Sequence, residues 1–202
     1  MSLLITFATI QEAEKTIAIL SAHATAKNPY LYTFEQGVIL ITGIGSFATI
    51  CALESYYEGQ KEILSLGLAG SLQSNLEIGA IYPVARCTKF LWHPRGNKAS
   101  QECASYGVLD ELTLSSTGLK LLTTDMPLYN ALERPEELVD MEGYAIAHFA
   151  KKRTIPCHMY RIVSDYCTSE TSRQIRERLP QFSETLSHYV VAQTSPTPSL
   201  QC

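Results

Sequence analysis

The chain has 202 residues, 46% of them apolar and 18% charged, with a formal net charge of −4. That length suits one domain with one sizeable core, and the mildly acidic balance offers no basic field to recruit nucleic acid or anionic lipid. The partner class that remains is a small molecule.

Leu3 to Ala8 reads as a buried strand. The apolar start lacks a basic leading region and a small-residue cleavage site, so it is read as strand and not as signal peptide. No later apolar run approaches the roughly 20 residues that cross a bilayer. The expectation is a soluble, cytoplasmic protein with no membrane partner. Ala13, Ile17, Leu20 and Ala24, spaced by three and four, predict a helix over 11–24 that Asn28-Pro29 stops. Leu31 to Phe34 and Val38 to Thr42 form a strand pair, and the second leads into Gly43-Ile44-Gly45 and a helix over 47–57.

Ile63 to Leu68 is the next strand, ending at Gly67-Leu68-Ala69-Gly70, and 78–84 another. Residues 89–101 form a polar loop containing Trp92. Leu119 to Thr123 is strand-like, 140–152 helical, and Cys157 to Val163 a strand ending at Ser164-Asp165. A last helix over 171–191, broken or kinked at Pro180, precedes a tail over 193–202 that reads as disordered, leaving 1–192 as the domain. Six scattered cysteines show no metal-ligand spacing, which predicts free thiols and no metal site.

Apolar strands alternating with helices predict a single α/β domain, three layers deep (α/β/α), with a mixed, mainly parallel central sheet. Ligands of such sheets collect outside the carboxyl ends of the strands. There Gly43, Gly45 and Ala48 give a G-x-G-x-x-A spacing, formally a dinucleotide fingerprint. That reading needs an acid at the end of the following strand, and Leu66-Gly67-Leu68-Ala69-Gly70 has none. A tight strand-to-helix turn accounts for the glycines equally well. Together the two glycine segments suggest a floor of backbone amides for a small polar ligand. Three carboxylates stand at the predicted rim: Glu12, Glu142 and Asp165. Each also fits the bland role of an acid in a first helical turn or at a strand end.

Asp140-Met141-Glu142-Gly143-Tyr144-Ala145, followed by a strand ending Ser164-Asp165, resembles the nucleoside phosphorylase and nucleosidase superfamily. Thr42-Gly43-Ile44-Gly45 and Gly67-Leu68-Ala69-Gly70 resemble its two glycine segments, in the same order. Ala8-Thr9-Ile10-Gln11-Glu12-Ala13 is similar to the opening of the futalosine hydrolase branch. The resemblance implies a cofactor-free purine nucleoside hydrolase and a homodimer. Asp165 would hold a proton for purine N7, its pKa raised by burial and neighbouring acids, while an ionised Glu12 activates water. Glu142 would grip the ribose hydroxyls, Met141 pack on the sugar, and Arg161 orient Glu12 or the water. Ala69 and Gly70 would line the substrate site, Gly43 and Gly45 the nucleophile pocket. Leu128 stands where methylthioadenosine/S-adenosylhomocysteine nucleosidases place an aromatic residue over the base.

The opening points to futalosine or 6-amino-6-deoxyfutalosine as substrate, in menaquinone biosynthesis, with methylthioadenosine or S-adenosylhomocysteine as the alternative. A phosphorylase is a further alternative, disfavoured because Ser46-Phe47-Ala48 brings no cation to the glycine turn. An NAD-binding oxidoreductase and a non-catalytic nucleoside-binding protein are the competing classes.

Overall fold

A computed structural model describes residues 2–25, 28–90, 110–128 and 134–194. Within them ten strands form one mixed sheet. Strand β1 (Leu3–Phe7) lies between parallel neighbours β4 (Gly37–Ile41) and β5 (Glu62–Ser71). On one side the sheet continues through antiparallel β3 (Asn28–Phe34) to β2 (His23–Thr25). On the other side it closes on itself. β5 pairs with both β10 (Cys157–Asp165) and β9 (Leu138–Asp140), and β6 (Ile81–Lys89) with β8 (Leu119–Thr123) completes the ring between them. The two-residue β7 (Leu112–Thr113) is an annex of β6.

Strand alternation divides the core in two. Leu4, Leu40 and Ile63 face one side, where Leu53 of α2 (Ser46–Tyr56) and Ile146 and Phe149 of α3 (Gly143–Arg153) cover them. Ile5, Ile39 and Leu64 face the other, under Ala13 of α1 (Ile10–Ile19) and Phe182, Leu186 and Val190 of α4 (Thr171–Thr194). This is the three-layer arrangement the alternating pattern predicts. Truncating a side chain such as Leu4, fully buried, costs about 2–5 kcal/mol.

Several boundaries differ from the sequence reading, each for a tertiary reason. Helix α1 stops at Ile19, because Ser21 turns left-handed (φ 50°) and sends His23–Thr25 to the sheet edge. Strand β6 begins only at Ile81, after a turn that uses Gly79 at φ 92°. The late helix starts at Gly143, since 138–140 is drawn into the ring as β9. Helix α4 runs through Pro180 without interruption, its apolar face held by the cavity residues Ile175 and Leu179 before the proline and by the core after it. It also takes in Gln193 and Thr194 from the expected tail. The rest of that tail, Trp92 and most of the 89–101 loop lie outside the described residues. Among the described residues no helix is long and apolar enough to cross a membrane.

Candidate active site

The carboxyl ends of β1, β5, β8, β9 and β10 open onto a cavity of about 290 Å³. Glu12, Ala69, Gly70, Leu128, Met141, Glu142 and Asp165 all line it. Residues as far apart in the chain as Glu12 and Asp165, 153 positions, are thus neighbours because parallel strands put their ends in one row.

Glu12 sits in the first turn of α1, where Thr9 caps the helix by accepting the Glu12 N–H. The Thr9 hydroxyl lies 3.2 Å from Glu12 Oε1. Glu12 Oε2 is buried without a partner among the described residues. Burial pushes this carboxyl up to about 7, against the pull of Thr9 and the Arg161 charge. Burial therefore works against the ionised Glu12 expected from the sequence, and the Arg161 charge works for it. From α4, Ser183 donates to the Glu12 carbonyl at 3.0 Å and fixes the helix turn.

Beneath Glu12 lies a second cavity of about 30 Å³, walled by Thr6, Glu12, Thr42, Gly67, Glu142 and Arg161, among others. Gly67 forms part of its wall, where a Cβ would stand at an ordinary contact distance of 3.5 Å from Glu12 Oε2. The volume is that of about one water molecule.

Arg161 points into this lower cavity and not into the main one. Fully enclosed at 2% exposure, it donates from Nε to Asp140 Oδ2 at 2.9 Å and from Nη1 to the Tyr160 carbonyl and Ser65 Oγ. It bears on Glu12 through its charge, with no hydrogen bond to it. Asp140, which the sequence reading gave no role, is the hub of the strand ends. It accepts from Thr123 Oγ1 at 2.7 Å, from the Gly143 N–H at 2.9 Å and from Arg161. Its place directly before Met141-Glu142 was the available signal.

Glu142 stands at the N-cap position of α3 without a side-chain bond to that helix, and accepts the Gly45 N–H at 2.7 Å. Burial, and then the charge of Asp140, push it up to about 8. Gly45 adopts φ 92° and Gly43 φ 79°, the left-handed region that glycine tolerates. The glycine turn thus offers its amide to a carboxylate of the protein, which disfavours a pyrophosphate at the same place. Gly43 and Gly45 do not border the lower cavity, where Thr42 and Gly67 stand instead.

Asp165 ends β10 with both carboxyl oxygens in hydrogen bonds. Cys167 N–H and Thr171 Oγ1 donate to Oδ1, each at 2.7 Å. Ser164 Oγ lies 2.6 Å from Oδ2 and 3.2 Å from the Ala69 carbonyl. One hydroxyl proton serves both, so Ser164 donates to Asp165 when that group is ionised, or accepts from it and donates to Ala69 when it is protonated. Gly70 is required beside it, because a Cβ there would meet Cys167 Sγ at 2.5 Å.

Ser46-Phe47-Ala48 itself carries no cation, but one from a distant strand reaches the glycine turn. Lys89 Nζ lies 2.8 Å from Ser46 Oγ and is ion-paired with Asp125. Arg86 pairs with Glu111 in a half-exposed position.

No family model and no curated protein matches the chain. Solved structures do. A nucleosidase (MTAN) of Chlamydia trachomatis, an aspartate-to-asparagine variant bound to MTA, matches with TM-score 0.79 and 21% identity over 95% of this chain and 96% of that chain. The adenine-bound form of the C. trachomatis protein gives 0.76 at 21% over the same shares. A Helicobacter pylori MTAN variant with 5'-methylthioadenosine in its active site gives 0.75 at 16%, again over 95% and 96%. The chain therefore has the nucleoside phosphorylase-like α/β fold that these nucleosidases share.

Proposed function

We propose that this chain is a purine nucleoside hydrolase that breaks the N-ribosidic bond with water. The observation that carries the reading is the buried, unpartnered Glu12 Oε2 beside a cavity of about 30 Å³. A carboxylate with pKa about 7 is suited to take a proton from water at neutral pH. The lower cavity has room for one water and not for a phosphate ion.

Bond cleavage places positive charge on the ribosyl ring and negative charge on the departing purine. Asp165 gives a proton to N7 of the base, and Ser164 then turns its hydroxyl from the Ala69 carbonyl to the carboxylate left behind. Glu142 holds the ribose hydroxyls, oriented by the Gly45 amide. Met141 and Ile44 present apolar surface to the sugar. Arg161, held by Asp140 and Ser65, supplies fixed positive charge that favours the ionised Glu12.

The substrate this reading favours is a 5'-thio-substituted adenosine. The main cavity is lined largely by apolar side chains, among them Ile44, Leu128, Met141, Ile175 and Leu179, which suit an alkylthio arm. Structures of the same fold hold MTA and 5'-methylthioadenosine. The Ala8–Ala13 opening favours futalosine or 6-amino-6-deoxyfutalosine as the second reading. A phosphate-free assay with methylthioadenosine, S-adenosylhomocysteine, futalosine and 6-amino-6-deoxyfutalosine, following free base by chromatography, decides between them. Base release without phosphate is expected, whereas cleavage that requires phosphate and yields a ribose 1-phosphate would refute hydrolysis.

A homodimer belongs to the same proposal. Helix α2 buries only Thr49 and Leu53 and leaves Phe47 84% exposed, and Ile44 in the turn before it is 63% exposed. An apolar groove lined by Tyr30, Ile41, Ala52 and Tyr56 adjoins them. Light scattering should give twice the chain mass, and Phe47→Glu should lower it.

A further inference from the structure

We propose that Lys89 is a positioning residue for the ribose grip of Glu142, an inference that rests on the nucleosidase reading. Lys89 closes β6 with 6% exposure, and its ammonium reaches Ser46 Oγ, at the first residue of α2, over 2.8 Å. The Ser46 hydroxyl lies 3.1 Å from the Met141 carbonyl. One residue back, the Gly45 N–H donates to Glu142 Oε1. Two adjacent bonds therefore tie the glycine turn to the 141–142 segment.

Lys89 fixes the sense of one of them. An ammonium group only donates, so Ser46 Oγ accepts from it and directs its single proton to the Met141 carbonyl. Without Lys89 the hydroxyl is free to rotate, and the tether beside Glu142 loosens. The other arm of Lys89, its ion pair with Asp125, holds the loop that brings Thr124, Pro127 and Leu128 to the main cavity. A cation beside the N-terminus of α2 opposes the helix dipole, so helix stability does not account for its position. Lys89 does not line the cavity and acts through Ser46 and Glu142.

The test is steady-state kinetics of Lys89→Met and Ser46→Ala with an adenosine-type riboside and its 2'-deoxy counterpart. Each variant should raise KM for the riboside about fivefold to tenfold while kcat stays within about twofold. The rise should shrink with the 2'-deoxyriboside, which offers Glu142 less to hold. Lys89→Arg, which restores a donor, should recover part of the loss. Equal losses with both substrates, or unchanged constants in a folded variant, overturn the inference while the nucleosidase reading stands. A wild-type protein that releases no base overturns both. Should Lys89→Met fail to fold, Ser46→Ala decides, because it leaves the Lys89 and Asp125 pair in place.

Discussion

Glu12 and Asp165 line the same cavity and are equally hidden, at 6% and 2% exposure, yet their surroundings differ. Glu12 keeps one oxygen without a partner among the described residues, and burial lifts its pKa to about 7. Both Asp165 oxygens are engaged, by Cys167, Thr171 and Ser164. Burial without a partner makes a carboxyl such as Glu12 reluctant to ionise, whereas the donors around Asp165 fix its orientation. The difference suits the roles proposed for them: a sparsely bonded group free to receive a proton from water, and an oriented group to meet the base.

The sharpest way to break this contrast is to remove each charge. Glu12→Gln should lower kcat by roughly two to four orders of magnitude, and Asp165→Asn by about a hundredfold or more. Both should retain native circular dichroism. Near-normal turnover in either folded variant removes its assigned role. Next in size is the pH profile. With Glu12 as the base, kcat/KM should fall about tenfold for each pH unit below about 7, and a rate flat from pH 5 to 8 would contradict it.

A smaller effect comes from the donors. Thr171→Val deletes one bond to Asp165 and should cost about 1 kcal/mol of transition-state stabilisation, or several-fold in kcat. An equivalent change at Thr9 should act less on rate than on the pH limb. The smallest effect is on stability. A carboxyl whose pKa is raised by folding keeps its proton where the unfolded chain has lost it. Stability therefore declines as pH rises from about 4.5 through about 7 for Glu12 and about 8 for Glu142. Glu142→Gln should be relatively more stable at pH 8 than at pH 5, by roughly 2–4 °C in Tm for each kcal/mol recovered. A Tm difference independent of pH would argue against the raised value.

Much of this arrangement was legible in the chain itself. Near-continuous apolar runs such as Ile63 to Leu68 reveal strands buried on both faces, because burial selects residue type at every position. Acids that follow such strands stand at the crevice by the geometry of parallel sheets, so Glu12, Glu142 and Asp165 could be named without coordinates. Short β7 and β9 could not, since two or three residues carry no period and owe their form to their partners.

What only the tertiary structure decided is how those acids are surrounded. The ring closure through β5 and β10 brings Arg161 to Asp140 and leaves Glu12 without a hydrogen bond from it. It places Gly67, not Gly43 or Gly45, beside the lower cavity, and it carries Lys89 to Ser46 across 43 positions of sequence. The sequence determines the identity of each carboxyl, its strand and its place at the rim. Burial, charge and hydrogen-bond partners depend on side chains far apart in the chain, and those meet only once the sheet has closed.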